Sequence, residues 1–167
     1  MCIRDRTGSF RLAAIGVLMS DQREPEGVPL DVTTDYRVVT LEGVSYDLLR
    51  PSPTLQFREA EGERTFSIPV AVHDASAIAL AMTGAAGARP SSAELLTLVL
   101  AELGADVIAV RFVRFEAGVF FAELDLMTPK GRRVFDCRPS DAVAVALRNH
   151  SSAPFLIDED VLARVAG

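Results

Sequence analysis

The sequence predicts an α+β domain: a mixed, mostly antiparallel sheet with three to four helices, in the order βββαα-βββαβα. Three observations lead there. Short runs rich in aromatic and β-branched residues, such as Val107–Phe115 and Val119–Met127, are separated by turn signals. The helical patterns come first as a pair and later singly, without the strict strand–helix alternation of a parallel α/β sheet. Glycines punctuate both kinds of segment, with Gly84 and Gly104 after helical patterns and Gly118 and Gly131 between strand patterns.

Taken in order, Arg37–Val44 and Thr54–Glu59 are short β-prone runs. Glu61-Gly62 makes a turn, and Arg64–Val72 runs back as the hairpin partner. Asp74 is placed to cap a helix over Ala75–Thr83. After the small-residue loop Ala85–Arg89, Ser91 starts a second helix with Glu94 three residues on, a capping-box pattern. Leu95, Leu96, Val99, Leu100 and Leu103 recur at helical spacing there and are expected to face the core. Val107–Phe115 turns at Ala117-Gly118 into Val119–Met127, which turns at Pro129-Lys130-Gly131 into Arg132–Cys137. Ser140 or Asp141 opens a third helix through Arg148, and a short strand Pro154–Ile157 and a last helix Glu159–Val165 follow.

Composition bounds the function. A chain of 167 residues suffices for one core, and its 49% hydrophobic content leads us to expect a homo-oligomer, a second copy covering surplus apolar surface. No run of about 18 uncharged apolar residues is present, so no membrane span is expected. A net charge of -6 disfavours a protein that grips nucleic acid by bulk electrostatics, so any such contact must come from locally clustered arginines. Cys2 and Cys137 form no disulfide framework, and a reducing, cytoplasmic setting is expected. Residues 1–35 read as an unstructured lead-in and 36–167 as the domain. Met1–Arg6 resembles a translated adaptor end more than native protein, and Phe10–Met19 is as long as a signal-peptide core but lacks its cleavage pattern.

The chemistry concentrates where Arg-Pro-Ser directly precedes an apolar helix, at Arg89-Pro90-Ser91 and again at Arg138-Pro139-Ser140. The first turn of a helix leaves backbone N–H groups unpaired and is electropositive, and an arginine beside it adds a planar fork suited to phosphate. Plain capping by the serines accounts for either motif taken alone. The second goes further, because Asp136, Arg138, Asp141 and Arg148 gather around one strand-to-helix turn. Glu123 and Asp125 share one face of a strand, about 6.6 Å apart. With Asp136 on the neighbouring strand they are a candidate site for Mg²⁺ or Mn²⁺, against the plainer alternative of a solvated sheet face. Arg111 and Arg114 fall on opposite faces by strand parity. Cys137 reads as a small buried hydrophobe and His150 as a loop residue. No Gly-rich phosphate loop, zinc-ligand spacing or serine-nucleophile elbow is present.

Arg138-Pro139-Ser140-Asp141-Ala142 followed by an aliphatic run and Arg148 resembles the bifunctional nuclease family, which includes the plant defence-response nucleases. The resemblance extends in order through Ser67-Ile68-Pro69-Val70, Asp74–Ala79, Arg89-Pro90, Leu103-Gly104-Ala105, Gly118–Leu124 and Ala153–Ile157. It implies hydrolysis of phosphodiesters in DNA and RNA. Arg138, Arg89 and Arg148, with Ser140 and Ser91, would hold phosphates. Asp141, Asp136 and Glu94 would be catalytic, and Asp136, Asp141 and Glu123 would be the metal ligands. Where the family carries Thr-His-Asp, this chain has Ser92, Ala93 and Glu94, so the acid is kept and the imidazole lost. Alanine can neither accept a proton nor bind a metal, which favours the alternative of a non-catalytic anion- or partner-binding domain. His73 is the nearest substitute for the lost imidazole, though it reads more simply as a surface residue. The nuclease reading expects Arg89, Glu94, Asp136, Arg138, Asp141 and Arg148 to share one hollow.

Overall fold

A computed structural model describes residues 35–47, 52–85 and 87–167. The expected lead-in, apart from Asp35, lies outside the described residues, as does Phe10–Met19. Strands β1 (Tyr36–Ser45), β2 (Thr54–Glu59) and β3 (Thr65–Pro69) come first, followed by helices α1 (Val72–Met82) and α2 (Ser92–Glu102). Then come β4 (Asp106–Glu116), β5 (Val119–Thr128), β6 (Gly131–Cys137), α3 (Pro139–Arg148), β7 (Phe155–Asp158) and α4 (Glu159–Val165). The α+β order is the one the sequence predicts.

The strands form one sheet in the order β3-β2-β1-β7-β4-β5-β6. The β4–β7 pairing is parallel and the other pairings are antiparallel. The β4–β5 hairpin turns on Ala117 and Gly118, both at positive φ (49° and 81°), the backbone that a two-residue turn of matching twist needs. Phe57 sits at the centre of the core, stacked on Phe66 at 5.1 Å and edge-on to Phe112 at 5.2 Å. Helix α3 lies against β4 and β5, and α1 and α2 both pack on α3.

Three local expectations change. Helix α1 begins at Val72, with Ala71 as an N-cap that offers no side chain, so Asp74 stands inside the first turn instead of capping it. Strand β3 accordingly ends at Pro69, short of the expected Val72. In α2, Leu95, Leu96, Val99 and Leu103 are 43–67% exposed, and the helix packs inward through Thr97, Ala93 and Leu100. A run that is apolar nearly all round has no periodicity to mark its inner face, and α2 lies outside α3 at the edge of the core.

The capping box of α2 forms as expected: Glu94 N–H donates to Ser91 Oγ at 3.3 Å, and Ser91 N–H to Glu94 Oε2 at 2.6 Å. Helix α3 is framed differently. Arg138 is its N-cap, Pro139 its first residue, and buried Ser140 makes no cap hydrogen bond. The two Arg-Pro-Ser segments therefore enter their helices two residues out of step, which removes any structural equivalence between them.

Candidate active site

Arg138 stands at the start of α3 with its guanidinium fork closed on Asp141 by two hydrogen bonds of 2.7 Å, Nε to Oδ2 and Nη2 to Oδ1. Its third nitrogen, Nη1, lies 3.6 Å from Oδ2 of Asp74 in the first turn of α1. His73 Nε2 is 3.0 Å from the other oxygen of Asp74, and the imidazole is solvent-exposed. Arg138 thus joins the starts of α1 and α3. Neither start has a side-chain cap, so both keep the positive partial charge of their first turns.

A cleft of about 600 Å³ opens between these starts. Its lining includes the polar residues Asp74, Asp136, Arg138 and Ser140 and the apolar residues Ile68, Pro69, Val70 and Phe120. Asp136 is exposed at the end of β6, paired across the ladder with Glu123. Cys137 also lines the cleft, but burial first, with the nearby charges of Asp141 and Asp136, pushes its thiol up to about 11, so at neutral pH it is not a nucleophile.

The expected residues do not all meet here. Arg89, Glu94 and Arg148 line a second hollow of about 320 Å³ at the other end of α3, with Pro90, Thr97, Leu98 and His150. Arg148 Nη1 is 3.0 Å from Glu94 Oε1, holding the start of α2 to the end of α3. Glu94 is held below the usual carboxylate range by the Ser91 backbone N–H, then by the Ser91 hydroxyl and the charge of Arg148, which makes it a poor base. Ser91 is occupied as its cap. A ten-residue helix is about 15 Å long, which sets the two hollows apart. The group divides into Asp136, Arg138, Ser140 and Asp141 at one end of α3 and Arg89, Ser91, Glu94 and Arg148 at the other.

Three of the candidate metal ligands, Glu123, Asp125 and Asp141, are engaged by arginines. Glu123 lies 2.9 Å from Arg111 Nη2, and Arg132 Nε donates to both oxygens of Asp125 at 2.8 and 2.9 Å. Asp141 has both oxygens on Arg138. Among the described residues no three His, Cys, Asp or Glu side chains gather as a metal site. The donor set therefore does not fit Mg²⁺ or Mn²⁺, whose coordination calls for free carboxylate oxygens. The solvated face expected for Glu123 and Asp125 is instead an ion-pair ladder, with Asp125 only 3% exposed.

Asp74 is the site residue that sequence reasoning missed. It reads as a cap because acid before an apolar helix usually is one, and nothing in its neighbourhood in the chain points to Arg138, 64 residues on.

The fold and the cleft define a class: an α+β domain with an arginine clamp and carboxylates at two uncapped helix starts. The chain belongs to the bifunctional nuclease domain family, whose sequence model matches residues 55–166, a span that contains both helix starts and β6. Two similar proteins come from Mycobacterium tuberculosis, MT1877 of strain CDC 1551 / Oshkosh and Rv1829 of strain ATCC 25618 / H37Rv. Each carries the name uncharacterized protein and is 36% identical over 126 residues, which is 75% of this chain and 74% of its own. Among the described residues no helix is long and apolar enough to cross a membrane.

Proposed function

We propose that this domain hydrolyses phosphodiester bonds in DNA and RNA at the cleft between the starts of α1 and α3. One observation carries the proposal: Arg138, set between two uncapped helix starts, is held by pairs that are solvent-exposed on its own side. Exposed pairs contribute little to stability, so a phosphate can take over the fork at small cost. The first turn of α3 then supports the bound anion, with Ser140 on the wall beside it. Asp141 holds the fork of Arg138 at the start of α3 until phosphate displaces it, which makes it a positioning residue of the unliganded site. We assign the orienting of the attacking water to Asp136, an exposed carboxylate among the residues lining the cleft. Phosphoryl transfer asks mainly for positioning and charge stabilisation, which these groups supply.

The test is degradation of single-stranded DNA and of RNA by purified protein, in Mg²⁺, in Mn²⁺ and with chelator. Arg138→Ala is expected to lower the rate by about a hundredfold or more while leaving the circular-dichroism spectrum unchanged. Equal rates in Arg138→Ala and the parent protein would refute the assignment.

The loss of the family's imidazole at Ala93 favours a second reading, an anion- or partner-binding domain without turnover. Saturable oligonucleotide binding, abolished in Arg138→Ala with no product formed, would select it. In either case the exposed leucines of α2 fit a second copy of this chain, making the protein a homo-oligomer.

A further inference from the structure

The sheet has two edges, β3 and β6, and they are finished differently. On β3, the Gly167 N–H donates to the Thr65 carbonyl at 3.1 Å, and the strand ends in Pro69, which has no N–H to offer. Strand β6, Gly131–Cys137, has no proline, and its register with β5 runs without a bulge from end to end.

The turn at Ala117 and Gly118, both at positive φ, closes β4 on β5 with Glu116 and Val119 as a hydrogen-bonded pair. Along β5 the odd-numbered residues therefore direct their backbone groups to β4 and the even-numbered ones to β6. The even residues Ala122, Leu124, Leu126 and Thr128 stand opposite Cys137, Phe135, Arg133 and Gly131, whose backbone groups are spent on them. Arg132, Val134 and Asp136 are left with N–H and C=O directed out of the sheet. Among the described residues, the one partner shown for these groups is Arg133 Nη1, 3.1 Å from the Arg132 carbonyl oxygen.

The side chains make this edge complementary to itself. Two antiparallel copies of β6 centred on Val134 set Arg132 opposite Asp136 of the second copy on one face, with the two Val134 side chains between the pairs. On the other face Arg133 lies opposite Phe135 of the second copy, and Phe135, 52% exposed in the single chain, gains cover. Arg132 spends Nε and Nη2 on Asp125 and keeps Nη1 for the contact. Centring the copies on Arg133 instead would set Arg133 against itself, and a parallel arrangement would bring like charges side by side. Charge therefore selects both register and direction.

We infer that β6 is a strand-addition interface for a second copy of this chain, antiparallel about a two-fold axis through Val134 and joining the two sheets into one. The outward backbone groups of Arg132, Val134 and Asp136 then bond across the axis. The contact is separate from the leucines of α2 and independent of the proposed hydrolysis.

The experiment starts from the Leu95→Glu, Val99→Glu protein, whose α2 no longer offers an apolar surface, so that its mass reads β6 alone. Light scattering coupled to gel filtration is expected to give about twice the mass of one chain. Val134→Pro removes an outward N–H and leaves the bonds to β5 in place. Asp136→Arg leaves the backbone alone and sets two cations opposite each other. Either change, added to the starting protein, is expected to give the mass of one chain with the circular-dichroism spectrum unchanged. With Cys2 and Cys137 replaced by serine, a short thiol-to-thiol crosslinker should join Val134→Cys chains across the axis. It should not join Lys130→Cys chains, whose matching positions lie about 27 Å apart along the strands. A monomeric Leu95→Glu, Val99→Glu protein overturns the interface, and so does a dimer whose mass neither Val134→Pro nor Asp136→Arg lowers. Equal crosslinking at both cysteines overturns the register.

Discussion

At the scale of single residues, what an arginine does here is decided by how deeply its carboxylate partner is buried. Arg138 meets Asp141 in solvent and can exchange it for a ligand, whereas Arg132 grips an Asp125 that water barely reaches. Removing one member of a buried pair strands the other without hydration. Asp125→Ala is therefore expected to destabilise the domain by about 3 kcal/mol, read as a lower urea midpoint at an unchanged slope. It would also remove the carboxylate nearest the Nε of Arg111, a buried nitrogen without a hydrogen-bond partner that lies 3.8 Å from Asp125. None of this is legible in the sequence. Arg132 and Asp125 look there like two of many surface charges, and it is the β5–β6 hairpin that folds them together.

At the scale of elements, α2 carries the clearest mismatch between its own chemistry and its surroundings. Its inner contacts use small and polar side chains, Ala93 and Thr97, with Leu100, while four large apolar residues face outward. If the proposed homo-oligomer forms through α2, its half-exposed leucines, on a helix with no basic residue, would meet in an isologous contact. Leu95→Glu combined with Val99→Glu is then expected to lower the solution mass, with the helical signal retained. Light scattering coupled to gel filtration checks it, and an unchanged mass would remove α2 from the interface. The capping box of α2 was legible because Ser91 and Glu94 lie within one turn. The start of α3 was not, because Arg-Pro-Ser permits the cap to fall on either arginine or serine, and only the path of the chain out of β6 chooses.

At the scale of the whole molecule, a second ionic cluster ties the end of the chain to its beginning. Glu159, the first residue of α4, accepts from Arg64 at 2.7 Å and from Arg37 at 2.6 Å, and Arg64 also donates to Glu59. Hydrogen bonds from Arg64 and then Arg37 hold the Glu159 carboxyl down to about 2. Its folded value lies below its unfolded value of about 4.3. The stabilisation is therefore complete above that unfolded value and is lost as the pH falls from about 4.3 towards about 2. Glu159→Gln should be less stable than the parent at pH 7, and the difference in urea midpoint should shrink across that acid window. A constant difference down to pH 2 would show that Glu159 contributes by packing alone.

The amino-acid sequence by itself determined the strands, the helices, most of their ends, the α2 cap and the membership of a family, because each depends on neighbours within a turn or on a contiguous motif. It also placed Arg138, Asp136, Ser140 and Asp141 at one turn, since six consecutive letters hold them there. The tertiary structure alone decided that Asp74 joins them, that Arg89, Glu94 and Arg148 do not, and that the leucines of α2 face outward. Those outcomes depend on which elements lie side by side. Contacts made across tens of residues leave no local pattern to read.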